Sequence, residues 1–550
     1  MKASDLFVDC LEQEQIEYVF GVPGEENADF LFSLDASESI RFILTRHEQG
    51  AAFMADVYGR LTGNPAVALG TLGPGATNLV TGVANATMDR SPMLVITGQG
   101  DVQSQHKESH QIIDVVAMYG PITKWATSIR HPDNIPEVVR KAVRVCRTEK
   151  PGAVHIELPE DIAGEEAIGE PLAPHRFRRP RPDDTAIEQA FEMLQASQRP
   201  VIIAGNGTIR RRASSELRRF CERTGIGAIS TFMAKGCVDS DADYCLFTIG
   251  MQQRDQLSAY VDDSDLVITV GYDMAEYPPR LWNSKSEKPI LHVDFMPAEI
   301  DAHYHPAVEL VGDIANALYL MTQQLEQGGL PPFDVSRLRE TRQTLLEDFA
   351  QYRDDDTEGL IRPQKALWDV RQSLGPCDIL LCGVGAHKMW VGRYFHCHNP
   401  NTCLISNGFC SMGMPLPGAI AAHLVHPDRK IFVLTGDGDF LMNVQEMETA
   451  KRLGSRITVM VWEDHDYGLI TWKQQSEFGR HIDMRFGNPD WPQLAAAFGW
   501  DCEIVSRSRN LRAALDRGLA HAGPSLIVVP IDYRENCLLT ERLGAIAGRI

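Results

Sequence analysis

The sequence has no apolar run long enough to cross a bilayer. Stretches such as 431–434 and 457–462 are of strand length, far short of the roughly 20 residues a spanning helix needs. No membrane anchor is expected. The first residues, Met1-Lys2-Ala3-Ser4-Asp5-Leu6, contain no basic stretch leading into an apolar core, so secretion is not indicated. The 12 cysteines lie scattered from Cys10 to Cys537, with no Cys-x-x-Cys pair and no histidine cluster at metal spacing. In so large a chain this pattern favours reduced thiols in a cytoplasm. Basic charge is scarce: 53 Lys and Arg against 74 Asp and Glu leave a net charge of −21, which repels a phosphate backbone and argues against a nucleic-acid partner. A Gly-Lys-Ser/Thr phosphate loop is missing, so a phosphate-transferring ATPase loses support, and neither of the glycine-rich turns at 21–24 and 73–78 is a Gly-x-Gly-x-x-Gly fingerprint.

What is present is an ordinary globular composition, 44% hydrophobic and 23% charged over 550 residues, enough for three or four domains. Short apolar runs at 18–20, 67–69, 93–96 and 154–156 alternate with helical stretches such as 51–61, a βα pattern that predicts a mainly parallel sheet. Prolines and charges across 164–184 leave no periodic apolar face and read as a linker. A second block has strand-like runs at 201–204, 266–270 and 290–293. A third has them at 379–382, 431–434, 457–461 and 526–529. The expected fold class is α/β, with three doubly wound domains at 1–165, 185–345 and 360–550 and a linker at 166–184. The similar layout of the first and third blocks suggests a duplicated fold.

The sharpest local signal is Gly436-Asp437-Gly438-Asp439, which follows the run 431–434 and precedes an expected helix at 442–452. The carboxyl end of a parallel strand is where ligands bind, and the next helix offers N–H groups to an anion. A second acidic group, Glu463-Asp464-His465-Asp466, ends the following run, with Asp464 27 residues after Asp437. On adjacent strands both would share one rim, where the Asp437 and Asp464 carboxylates and the Asp466 carbonyl suit Mg²⁺. Two solvated acidic loops are the plain alternative. Gly21-Val22-Pro23-Gly24 and Gly73-Pro74-Gly75-Ala76-Thr77-Asn78 are glycine-rich turns after apolar strands, fit for close approach to a flat ligand or simply for a tight connection. By its position alone Glu48, at the start of the stretch 48–55, reads as a capping residue.

The order of these pieces is more specific than any one of them. Val-Pro-Gly-Glu-Glu-Asn (22–27), Arg-His-Glu-Gln-Gly-Ala (46–51), Gly-Pro-Gly-Ala-Thr-Asn (73–78), Ser-Met-Gly-Met-Pro-Leu-Pro-Gly-Ala-Ile (411–420) and Gly-Asp-Gly (436–438) resemble the thiamine-diphosphate-dependent acetolactate synthases. Segments 109–119, 271–283 and 308–314 are most similar to the catabolic, flavin-independent type.

This resemblance implies a pyrimidine-binding domain, a central Rossmann-like domain and a diphosphate-binding domain. It also implies thiamine diphosphate and Mg²⁺ as cofactors and argues against FAD. The implied reaction decarboxylates pyruvate and ligates the hydroxyethyl unit to a second pyruvate or to 2-oxobutyrate; a thiamine enzyme with another acceptor is the alternative. By resemblance, Glu48 activates the coenzyme at its aminopyrimidine N1′. Asp437, Asp464 and Asp466 ligate the metal. Gly385, Ala386, His387, Gly438 and Asp439 surround the diphosphate, Met412 wedges the cofactor into its bent shape, and Pro23, Gly73, Asn78 and Cys410 complete the pocket. Gln111 and Lys473 face the substrate. The partners implied are small 2-oxo acids and further copies of the chain, as a homodimer or homotetramer whose site forms across two subunits. Three positions depart from the catabolic pattern: Glu26 replaces a lysine, Leu469 a methionine and Lys473 a glutamine.

Overall fold

The computed structural model describes residues 1–174, 178–250, 256–329, 332–536 and 539. Part of the expected linker (175–177) and the end of the third block (540–550) lie outside them. Three six-stranded, all-parallel sheets follow one another along the chain. The first holds β1 (Tyr18–Gly21), β2 (Arg41–Leu44), β3 (Val67–Gly70), β4 (Met93–Gln99), β5 (Ala126–Ser128) and β6 (Ala153–Pro159) in the order β2-β1-β3-β4-β6-β5. The second holds β7 (Pro200–Ala204), β8 (Gly227–Ser230), β9 (Cys245–Thr248), β10 (Leu266–Val270), β11 (Ile290–Asp294) and β12 (Val308–Val311) in the order β12-β11-β10-β7-β8-β9. The third holds β13 (Ile379–Cys382), β14 (Cys403–Ile405), β15 (Ile431–Gly436), β16 (Ile457–Glu463), β17 (Asp501–Ile504) and β18 (Ser525–Pro530) in the order β14-β13-β15-β16-β18-β17.

The expected α/β architecture is therefore the observed one, and the first and third sheets share a single strand order. In that order the chain reverses direction between the first and third strands of each sheet, opening a crevice beyond their carboxyl ends. In the first sheet the crevice lies between β1 and β3, the strands that feed the two glycine-rich turns. In the third it lies between β13 and β15, the strands that feed residues 383–387 and 436–439. The topology thus selects the chemistry-bearing loops.

A continuous apolar core crosses from the first domain to the third. Phe53, Val57 and Tyr58 on the helix Glu48–Thr62 pack with Met414, Ala419 and Ile420 on and before the helix Pro415–Val425. The helix Glu48–Thr62 starts cleanly because the Nδ1 of His47 accepts the Gln49 N–H at 3.0 Å, and it stops at Gly63, whose φ is +77°. No helix among the described residues is long and apolar enough to cross a membrane.

Two sequence expectations change. The helix expected over 442–452 begins only at Glu446 (Glu446–Arg452), because residues 442–445 form a turn that separates it from a short helix at Asp437–Leu441. Asn443 is fully buried in the gap and donates through Nδ2 to the Gly413 carbonyl at 2.9 Å, a tertiary bond that a continuous helix would forfeit. The helix Ser336–Ala350 runs across residue 345, because Leu345 and Phe349 both belong to the core shared by the middle and third domains.

His155 on β6 is fully buried. Its Nε2 lies 2.8 Å from Thr97 Oγ1, its ring stacks on Tyr119 at 4.2 Å, and burial pushes its pKa down to about 3. An unfolded histidine titrates near 6.5, so the unfolded chain binds the extra proton between those values and stability falls as pH drops from about 6.5 towards 3. Replacing His155 by Gln is expected to make the acid-side fall of the melting temperature shallower, by one fewer proton taken up on unfolding. Melting curves of both proteins between pH 4 and 7 check this; parallel pH profiles would contradict it.

Candidate active site

The crevice at β13 and β15 is walled by Val384, Gly385, Ala386 and His387 after β13, by Gly436 to Asp439 after β15, by Asp464 and Asp466 to Ile470 after β16, and by Met412 and Tyr533. Because β15 and β16 pair in register from Ile431↔Ile457 to Gly436↔Trp462, Asp437 and Asp464 emerge side by side. Asp437 Oδ2 accepts N–H bonds from Asp464 at 3.2 Å and His465 at 2.8 Å, and Oδ1 accepts from Gly438 at 2.8 Å. Desolvation, with the negative charges of Asp437 and Asp466, pushes the Asp464 carboxyl up to about 8. The Asp466 carboxylate accepts from Thr471 Oγ1 at 2.9 Å, and the residue lines the cleft beside Asp464.

These groups form a hard-oxygen donor set with surplus negative charge, which fits a divalent cation such as Mg²⁺. Asn488 strengthens the fit: Nδ2 braces Asp437 Oδ2 at 2.8 Å and Glu463 Oε1 at 3.0 Å, while its buried Oδ1 has no hydrogen-bond partner.

Asp439 does different work. It is buried, its carboxyl is pushed up to about 6 by desolvation, and it accepts from Thr435 Oγ1 and, at 2.7 Å, from the Gly413 N–H. It therefore ties the loop that carries Met412 to the end of β15. Gly383 must lack a side chain here, since a Cβ would fall 1.8 Å from Asp439 Oδ2. His387 is buried beside it, Nε2 3.9 Å from Asp439 Oδ2, and desolvation holds its pKa near 3, so it is neutral. With Gly385 and Ala386 it begins the helix Ala386–Tyr394, whose unpaired N–H groups suit a diphosphate. Cys410 stands at φ +60°, off the cleft wall, and its Sγ accepts from the buried Lys388 Nζ at 3.0 Å.

In the first domain Glu48 is 7% exposed and accepts from Asn78 Nδ2 at 3.0 Å through Oε2. Gly73 has φ +48°, a conformation open to glycine, and a Cβ there would meet the Gln111 carbonyl at 2.7 Å. The turn thus gathers Gly73, Asn78, Glu48 and the backbone of Gln111 at one end of the sheet. The exposed Pro23 ends the neighbouring turn after β1. None of these residues lines the cleft of the third domain. Lys473 is exposed on the helix Gly468–Phe478, whose Gly468, Leu469 and Ile470 line the cleft while Lys473 does not.

Sequence reasoning missed Asn488, Tyr467, Tyr533 and Glu446. Glu446 is fully buried, its carboxyl pushed up to about 7 by desolvation, and it accepts the Arg46 and His47 N–H groups at 3.2 and 3.1 Å, docking the third domain onto the start of the Glu48 helix. In the sequence it looks like one more acid on an amphipathic helix; nothing local marks it. A larger hollow of about 1010 Å³ opens beside β5, but it holds no glycine turn and no strand-end pair of carboxylates.

This architecture is matched segment by segment in known proteins. Residues 1–118 match the thiamine pyrophosphate enzyme N-terminal TPP binding domain, 187–321 its central domain and 383–529 its C-terminal TPP binding domain. The three domains are thus those of a thiamine pyrophosphate enzyme. The acetolactate synthase of Bacillus subtilis (strain 168) is 32% identical over 97% of this chain and 94% of its own length. The catabolic acetolactate synthase of Raoultella terrigena is 33% identical over 98% and 97%, and the chloroplastic acetolactate synthase 2 of Nicotiana tabacum 33% over 98% and 83%. The chain belongs to the acetolactate synthase family of thiamine pyrophosphate enzymes, as its motif order implied.

Proposed function

We propose that the chain condenses two 2-oxo acids, decarboxylating pyruvate and joining the remaining two-carbon unit to a second pyruvate or to 2-oxobutyrate, with 2-acetolactate as the product from pyruvate alone. The observation that carries this reading is the pair of carboxylates, Asp437 and Asp464, at neighbouring strand ends in a chain whose full-length relatives are acetolactate synthases. Bound thiamine diphosphate supplies an electron sink for the pair left behind by CO₂. The residues of the chain hold it and time its protons.

In this reading Asp437, Asp464 and the Asp466 carbonyl hold Mg²⁺, and the backbone of Gly385, Ala386, His387 and Gly438 binds the diphosphate. Asp439 fixes Met412 so that the latter props the cofactor bent, while Cys410, Pro23, Gly73 and Asn78 border the pyrimidine. Glu48, positioned by the Asn78 amide, holds a proton at N1′. Gln111 and Lys473 face the substrate, Lys473 as a cation for the acceptor carboxylate.

Because Glu48 lies in the first domain and off the cleft wall of the third, a second copy of the chain completes each site, making a homodimer, alone or paired into a tetramer, the working unit. FAD has no part. At the crevice of the middle sheet the anion position at the start of the helix Asn206–Arg210 is taken by the buried Glu276, whose carboxylate accepts the Asn206 N–H at 3.4 Å and the Met233 N–H at 2.9 Å. A dinucleotide's diphosphate would have to displace it.

Incubating the protein with Mg²⁺, thiamine diphosphate and pyruvate is expected to release one CO₂ for every two pyruvates consumed and to yield 2-acetolactate, with a mixed product when 2-oxobutyrate is added. Acetaldehyde as the sole product would make it a simple decarboxylase instead.

A further inference from the structure

We propose that the cavity where all three domains meet is a regulatory site for a small oxyanion, a carboxylate or a phosphate. Arg60, Arg90, Arg147, Arg210, Arg211 and Arg212 all line it, and Asp89 is the one carboxylate among its lining residues. In a chain of net charge −21 that concentration of guanidinium groups runs against the overall charge.

Arg212 apart, these arginines are not a solvated face. The Arg60 side chain is 8% exposed and that of Arg210 11%. Carboxylates support most of them from behind: Asp273 is 3.0 Å from Arg90, Glu149 2.6 Å from Arg210 and 3.5 Å from Arg211, and Asp313 3.8 Å from Arg211. Asp89 and Glu14 reach Arg60 and Arg147 at 3.7 and 4.0 Å, and Asp294 also faces Arg210. Glu14 and Asp313 are shared further, with Arg140 and Arg179, so the acids are outnumbered. The donors are not used up either. Arg60 Nη1, Arg147 Nε, Arg210 Nη1 and Arg211 Nε are buried without a hydrogen-bond partner. Leaving such donors unmet is costly, and the planar guanidinium fork is the group best matched to an oxyanion.

The walls explain why binding would matter. Residues 59–63, 89–92 and 147–151 come from the first domain, 206–212 from the middle domain and 401–404 from the third. An anion here would clamp all three. Arg60 also sits on the helix that begins with Glu48, roughly 18 Å away along its axis at 1.5 Å per residue. Occupancy at one end of this rigid element would bias the catalytic carboxylate at the other.

The test is calorimetric titration of the Mg²⁺- and thiamine diphosphate-loaded enzyme at low ionic strength, with inorganic phosphate and separately with oxamate, an unreactive 2-oxo-acid mimic. Arg212→Glu is the informative variant: Arg212 is exposed, makes no ion pair among the described residues, and its side chain donates to the Thr62 carbonyl at 3.2 Å, so the fold does not depend on that side chain. At least one anion is expected to bind, with affinity falling tenfold or more in Arg212→Glu, while kcat without added anion and the melting temperature stay unchanged. Arg60→Lys, which keeps the charge but loses the fork, should weaken binding as well. Weakening by Arg212→Glu of phosphate binding alone assigns the site to phosphate, and of oxamate binding alone to a 2-oxo acid. No binding of either anion, or no anion whose affinity Arg212→Glu lowers, would overturn the proposal, since oxamate seated only in the catalytic cleft is untouched by Arg212.

Discussion

Glu48→Gln is expected to cut kcat/KM for pyruvate by about 10²–10⁴-fold, the range over which a positioned acid or base contributes. The substitution preserves shape: glutamine fills the same buried space at the start of the helix Glu48–Thr62 and its amide oxygen can still accept from Asn78 Nδ2. What it loses is the capacity to hold or release a proton. The melting temperature and the affinity for thiamine diphosphate should therefore stay near those of the parent, whereas exchange of the cofactor C2 proton for deuterium, read by NMR after acid quench, should slow with the rate. Parental exchange in Glu48→Gln would remove Glu48 from the activating role.

Asp437→Asn should fail differently. Asp437 is the hub of its loop, accepting from Gly438, Asp464, His465 and Asn488 while facing the rim. An asparagine would turn an N–H₂ against one set of those donors and remove a charge from the cation site. The Kd for thiamine diphosphate at fixed Mg²⁺ should rise by at least about a hundredfold, the upper range seen when even a supporting group of a metal site is lost. Equilibrium dialysis with each variant separates the two residues: retention lost in Asp437→Asn and kept in Glu48→Gln. Equal retention in both would contradict the division between metal anchor and proton carrier.

Much of this was legible in the sequence because it sits at strand ends. The apolar runs at 431–434 and 457–461 mark two central strands, and central parallel strands are buried on both faces, so they read as unbroken hydrophobic segments with their carboxylates placed just beyond. Edge strands were not legible. β2, β5 and β17 are three or four residues long and partly exposed, which leaves too little pattern to see. Nor was the break at Asn443, because the bond that makes it lies 30 residues away in sequence at Gly413. Asn488 and Glu446 were hidden for the same reason: each gains its meaning from partners that only folding brings near, Asp437 for one and the backbone of Arg46 and His47 for the other. The arginine cavity is the extreme case, its six guanidinium groups drawn from two domains and four stretches of chain, against a wall of the third domain.

The most direct test of a site shared between two copies is to mix Glu48→Gln and Asp437→Asn proteins, allow subunits to exchange, and assay acetolactate formation. Each variant alone should be nearly inactive. Random reassortment makes half of the dimers mixed, each with one intact site that pairs the Glu48 of one chain with the Asp437 of the other, so activity should recover to about a quarter of the parental value. No recovery after demonstrated exchange would mean that Glu48 and Asp437 serve the same site from within one chain.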